Sequence, residues 1–151
     1  MTSVRKVAVI GGVRIPFCRS NTLYADQSNL DMMSAALNGL VERYKLAGVH
    51  IDEVIGGAVV SHSRDWNLAR EAVLNTKLAP STPGVTLQQA CGTSLQAAGI
   101  LMAKIAAGEI ESGIAAADND HVLAGEERRV AGGAVADTAA GELGLARDAE
   151  L

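Results

Sequence analysis

Short apolar runs alternate along this chain with stretches in which apolar residues return every three or four positions. Val7 to Ile10 is a continuous apolar run closed by Gly11 and Gly12, which predicts a short buried strand of the kind found in parallel sheets. Arg14-Ile15-Pro16-Phe17 predicts an extended loop, because the proline ring pushes the residue before it out of helical geometry. Leu30, Met33, Leu37, Leu40, Val41 and Tyr44 fall on one face of a helix that Ser28 or Asn29 can cap and Gly48 can end. Val54 to Val60 predicts a second strand, and Gly56 and Gly57 within it imply that something packs close to its backbone. Asn67 opens a second helix, with Leu68, Ala72 and Leu74 inward and Arg70 and Glu71 toward polar surroundings. Val85-Thr86-Leu87 predicts a third strand, and a long helix begins within a residue or two of Cys91. Its stripe is Leu95, Ala98, Met102, Ile105 and Ala106, its stop is Gly108, and Ser112 to Ala117 predicts a fourth strand.

Strand–helix alternation of this kind predicts an α/β fold with a mostly parallel sheet. The helix after Cys91 carries no charge from Gly92 to Ala103. A helix without a polar face is expected to be covered on all sides, and a domain of this size has little room to cover it unaided.

Composition narrows the function. The 151 residues are 48% hydrophobic and 20% charged, which is globular, with a net charge of −4. No basic cluster is present to grip a phosphate backbone, and aromatics at 3% leave few stacking platforms, so nucleic acid is not an expected partner. Cys18 and Cys91 are too few for a disulfide framework and lack metal-ligand spacing, which implies a reduced, cytoplasmic protein. The apolar run at Val7–Ile10 is too short for a signal-peptide core or a membrane span, so no export is expected.

Cys91 carries the candidate chemistry. At a strand's end and a helix's start, free N–H groups and the positive end of the helix dipole favour thiolate over thiol. The same N–H groups can stabilise the oxyanion formed when a thioester carbonyl is attacked. Gly92, Thr93 and Ser94 are small enough to admit a pantetheine arm. Most buried cysteines are inert packing residues, however, and position alone leaves both readings open.

Gln88-Gln89-Ala90-Cys91-Gly92-Thr93-Ser94-Leu95-Gln96-Ala97 resembles the nucleophile motif of the thiolase family. Three further segments resemble that family in the same order: Val13-Arg14-Ile15-Pro16-Phe17, Asn67-Leu68-Ala69-Arg70-Glu71, and Ala106-Ala107-Gly108 with Ser112-Gly113-Ile114-Ala115. The resemblance covers about residues 5 to 117 and looks closest to degradative 3-ketoacyl-CoA thiolases. It implies the first half of a thiolase N-terminal domain with a buried helix after the nucleophile. It also implies an acyltransferase of fatty-acid metabolism that uses coenzyme A and acyl-CoA as substrates and needs no cofactor or metal. Cys91 would accept the acyl group, and its own backbone N–H would join an oxyanion hole. Intact members of the family are expected to form homodimers or homotetramers.

The family's remaining catalytic residues, a histidine, an Asn-His pair and a second cysteine, belong to a second half that nothing here matches. His50, His62 and His121 stand in no matching motif, and Cys18 reads as structural. His62 and Asp65 read as a solvated polar loop. After Ala117 the resemblance stops, and residues 118–151 form an atypical tail beside the domain at 1–117. Asp118-Asn119-Asp120-His121 offers metal-ligand types but no distant partners to complete a site. Back-translated and read one base later, the tail begins with a run of threonines and serines that resembles the family's continuation, so an out-of-frame tail is expected. Such a chain is expected to be inactive alone. A ketoacyl-synthase-like condensing enzyme and a non-catalytic remnant serving as an interaction module are the competing readings.

Overall fold

Alternate residues of two central strands send their side chains to opposite faces of one sheet, and this sorting builds two cores. The structure, a computed structural model, describes residues 5–19, 22–118 and 141–147. Its elements are β1 (Val7–Arg14), α1 (Asn29–Arg43), β2 (Glu53–Ala58), α2 (Leu68–Leu74), β3 (Gly84–Thr86), α3 (Thr93–Ala107), β4 (Ser112–Asp118) and β5 (Gly141–Arg147). The strands form one sheet in the order β1-β5-β4-β2-β3. β2 pairs in parallel with β3 and β4, while β5 runs antiparallel to both β4 and β1. Four strands therefore share one direction, as the mostly parallel prediction requires. The fourth strand stands where the sequence puts it, and the sheet draws its fifth strand from the tail.

Val54, Ala58, Ile114 and Ala116 face α1 and α2, where Met33, Leu37, Leu40, Val41, Leu68, Ala72 and Val73 complete one core. Ile55 and Ala115 face the opposite way, against Ala97, Ala98, Leu101 and Ile105 of α3. Each fully buried Leu or Ile side chain contributes about 1.5–3 kcal/mol relative to an exposed one.

α1 begins as the spacing predicts. Ser28 Oγ accepts from Asp31 N–H at 3.1 Å, and Ser28 N–H donates to Asp31 Oδ2 at 2.9 Å, which is a reciprocal capping box. The helix ends at Arg43, before Gly48, which sits at φ +75 in the turn beyond and donates to Lys77 O at 2.7 Å.

β1 departs from expectation. It does not stop at the glycine pair but runs through it to Arg14, and it is an edge strand with Val9 and Ile10 more than half exposed. An apolar run of four residues carries no information about which edges and faces will be covered. The register shifts between Val9 and Gly11, and Gly11 adopts φ +154 there, so the glycine serves a bulge within the strand.

α3 also departs. Its inward row is Ser94, Ala97, Ala98, Leu101 and Ile105, whereas the predicted stripe residues Leu95 and Met102 are 59% and 43% exposed. With no charged residue to mark the outer face, the apolar period gives no phase. The outer row of Leu95, Gln96, Gly99, Met102 and Ala103 is open among the described residues. Residues Ala90–Ala107 have the length and hydropathy of a membrane span. Here α3 lies on the sheet, and Lys104 Nζ holds both carboxylate oxygens of Glu53 at 2.8 and 2.7 Å. In α2, Leu68, Ala72 and Val73 are buried while Leu74 is turned outward.

Candidate active site

Because β1 to β4 run in one direction, the loops that follow β1, β2 and β3 gather at one end of the sheet. Cys91 lies there, exposed and not disulfide-bonded, between the end of β3 at Thr86 and the start of α3 at Thr93. Cys18, in the loop after β1, is at the same end; it too is outside any disulfide, and its Sγ lies 2.7 Å from Thr22 Oγ1. The same end carries four large exposed apolar side chains on those loops, Phe17, Leu23, Val60 and Trp66.

The elbow that presents Cys91 is tight. Leu87 N–H extends the β2 ladder by donating to Gly56 O at 2.9 Å. Gln88 Nε2 then donates to Val59 O at 2.8 Å, which ties the turn to the end of β2. Ala90 takes φ +44, a left-handed conformation that costs a non-glycine residue about 1–2 kcal/mol. Gly92 N–H donates to Gln89 O at 2.9 Å and Thr93 N–H to Ala90 O at 3.2 Å, closing the turn. The Thr93 hydroxyl accepts from Gln89 N–H at 2.9 Å and donates to Ala90 O at 2.8 Å. α3 has Gly92 at its cap position and no side-chain cap, and of its first amides Thr93 N–H is already held by Ala90 O.

Several predicted placements need correction. Gly92, Thr93 and Ser94 were expected to form the approach to the sulfur, but Thr93 and Ser94 are buried against the sheet. The exposed approach consists instead of Gln88, Gln89, Ala90, Leu95 and Gln96. Asp65 is not solvated: its carboxylate is buried, with Arg64 Nε at 3.6 Å from Oδ1 and no hydrogen-bond partner for Oδ2. A charged residue in a polar sequence gives no signal of such burial. His62 is exposed in the loop after β2. His50 precedes β2, at the opposite end of the sheet from Cys91, where its Nδ1 lies 3.0 Å from Ser81 Oγ. Asn119, Asp120 and His121 lie outside the described residues. Among the described residues no three His, Cys, Asp or Glu side chains are grouped to hold a metal ion.

The Asn67-Leu68-Ala69-Arg70 segment gains a physical meaning from the geometry. Asn67 Oδ1 caps α2 by accepting from Arg70 N–H at 3.1 Å, and it also accepts from Thr86 Oγ1 at 2.8 Å. Its Nδ2 donates to Gly84 O at 3.1 Å, and Arg70 donates to Thr82 O and Pro80 O at 2.7 and 2.8 Å. The motif thus pins β3, the strand that leads into Cys91. A capping asparagine was legible in the sequence; its grip on the neighbouring strand was not.

Comparison with known proteins follows the same outline. Residues 7–119 match the family described as "Thiolase, N-terminal domain". The chain is 37% identical over 119 residues to a 3-ketoacyl-CoA thiolase of Photorhabdus laumondii, covering 78% of this chain and 27% of that protein. It is 34% identical over 132 residues to a 3-ketoacyl-CoA thiolase of Pseudoalteromonas translucida, covering 86% of this chain and 30% of that protein. It superimposes on human mitochondrial 3-ketoacyl-CoA thiolase with a TM-score of 0.69 and 27% identity, covering 76% of this chain and 29% of that one; that thiolase has also been solved in complex with CoA. The chain therefore spans under a third of the length of the relatives it matches. Fold, elbow and family match agree, and the chain belongs to the thiolase family.

Proposed function

We propose that this chain supplies the nucleophilic part of a 3-ketoacyl-CoA thiolase-type acyltransferase, with Cys91 as the residue that carries the acyl group. The observation that supports this reading is the placement of an exposed, free cysteine at a strained turn immediately before the uncapped N-terminus of α3. The thiolate attacks the thioester or 3-keto carbonyl carbon and a new carbon–sulfur bond forms, while the carbonyl oxygen takes up negative charge that nearby amide N–H groups can meet. Collapse expels either the coenzyme A thiolate or, in thiolysis, the acetyl-CoA carbanion. Either leaving group must then be protonated. In the second step the sulfur of free coenzyme A, its thiol proton lost to a base, attacks the acyl–Cys91 carbonyl; the new acyl–sulfur bond forms and the Cys91 thiolate leaves.

The carbanion in particular needs a proton donor, and the exposed residues of the elbow, Gln88, Gln89, Ala90, Leu95 and Gln96, carry no acidic group. The reaction expected of this chain alone is therefore the half-reaction, acylation of Cys91, and not complete thiolysis. Incubating the full chain with acetyl-CoA and mapping the adduct by mass spectrometry tests this. Acetylation at Cys91, absent in Cys91→Ser and not transferred to Cys18, is the expected result. Equal, slow modification of both cysteines would identify an inert remnant.

A further inference from the structure

We infer that Thr93 is the positioning residue of the Cys91 elbow, acting through a hydroxyl that clamps the peptides on either side of Ala90; this rests on the reading of Cys91 as nucleophile.

A threonine at the cap position of a helix turns its hydroxyl forward, to the amides of the first turn. Thr93 stands one residue past the cap, Gly92, and turns its hydroxyl back. It is fully buried, and its Oγ1 reaches back to accept from Gln89 N–H and to donate to Ala90 O, at 2.9 and 2.8 Å. The cap residue itself, Gly92, has no side chain to offer. The methyl group fixes this orientation, because Thr93 Cγ2 stands 3.0 Å from where a Cβ on Gly57 would be. Swinging the hydroxyl away would drive the methyl out of that niche.

The clamp closes around the one strained residue of the turn. Ala90 is held at φ +44, where an alanine does not rest by preference. Its carbonyl receives two donors from the same residue, Thr93 N–H at 3.2 Å and Thr93 Oγ1 at 2.8 Å. Cys91 is the next residue, within the loop so closed. If the hydroxyl is lost, Gln89 N–H loses its acceptor, Ala90 is freer to relax, and the sulfur moves off the mouth of α3.

The test compares three full-length variants with the parent: Thr93→Val, nearly the same shape without either hydrogen bond; Thr93→Ser, which keeps both; and Thr93→Val combined with Ala90→Gly, which removes the cost of the left-handed turn. Each is treated with acetyl-CoA and, separately, iodoacetamide. The rate at Cys91 is read against the rate at Cys18 in the same molecule, beside a thermal melt. We expect Thr93→Val to slow Cys91 by about tenfold relative to Cys18, as the loss of one or two hydrogen bonds implies. Thr93→Ser should stay within about twofold of the parent, and the double variant should recover part of the loss. A folded Thr93→Val reacting at the parental rate overturns the clamp and leaves the nucleophile reading intact. If Thr93→Val does not fold, Thr93→Ser decides: a parental rate supports the hydroxyl, and a tenfold loss overturns it. A parent whose Cys91 reacts no faster than Cys18 overturns both readings together.

Discussion

The carbonyl oxygen of Leu87 occupies the space in which a side chain at Gly57 would have to stand. Two strands thus meet backbone to backbone, without an intervening side chain, four residues before the candidate nucleophile. Gly57→Ala is expected to push the Leu87–Gln88 peptide away from β2. Overpacking of this sort costs about 1–3 kcal/mol. The displacement should also slow iodoacetamide at Cys91 while Cys18 is unaffected. Urea unfolding and labelling of the same sample check both; unchanged labelling with lowered stability would separate the sheet contact from the elbow.

The phase of α3 gives a second prediction. Leu101 is fully buried and Leu95 is exposed, although six residues apart on one apolar helix. Leu101→Ala should cost about 2–5 kcal/mol through transfer and cavity terms. Leu95→Ala should stay within about 0.5 kcal/mol. Denaturant midpoints of the two variants check the assignment, and a reversed order would restore the stripe predicted from the sequence.

Lys104 and Glu53 join α3 to β2 through two short contacts, with Glu53 mostly enclosed and Lys104 about one-third exposed on its side chain. Lys104→Met leaves the enclosed carboxylate without its partner and should cost about 1–3 kcal/mol, the lysine's access to water reducing the penalty. Adding Glu53→Met should recover much of that loss. A double variant as unstable as the sum of its parts would refute the coupling.

Asp52 predicts a pH dependence. Its Oδ2 accepts from Glu111 N–H at 2.9 Å and from Ser112 N–H and Oγ at 2.9 and 3.1 Å. The Glu111 amide leads in lowering its pKa below the ordinary carboxyl value, against a smaller opposing effect of burial. A carboxyl lowered on folding contributes stability that is complete above its ordinary pKa and is lost as pH falls through the folded value. The melting-temperature gap between the parent and Asp52→Asn should therefore be widest near neutrality and close in strong acid. A gap that does not change with pH would mean that the charge plays no part.

Much of this was legible in the residues. Ser28 as one of two candidate caps, Asn67, the helix after Cys91 and its Gly108 stop all follow from local hydrogen-bonding needs, and the structure keeps them. What failed to read through was tertiary. Leu95 and Met102 lie outside the core their spacing predicts; a helix with no charged face offers no phase to measure. Val9 and Ile10 are exposed; apolarity does not reveal which strand will lie at an edge. Gly141–Arg147 gives no strand signal, since its two glycines, glutamate and arginine lack the β-branched residues that mark one. The hydroxyl clamp at Thr93 was invisible because it depends on a turn that the sequence does not specify.

The place of β5 has a consequence for how the molecule comes into being. Among the described residues β1 joins the sheet only through β5, so residues as distant as Val7 and Arg147 must meet before β1 has a neighbour. Contacts of such long sequence separation close late and slowly. On the ribosome, β2, β3 and β4 can zip together while β1 waits, its apolar edge unpaired, for Gly141–Arg147 to emerge. Chaperone contact during synthesis is expected to concentrate on that waiting strand.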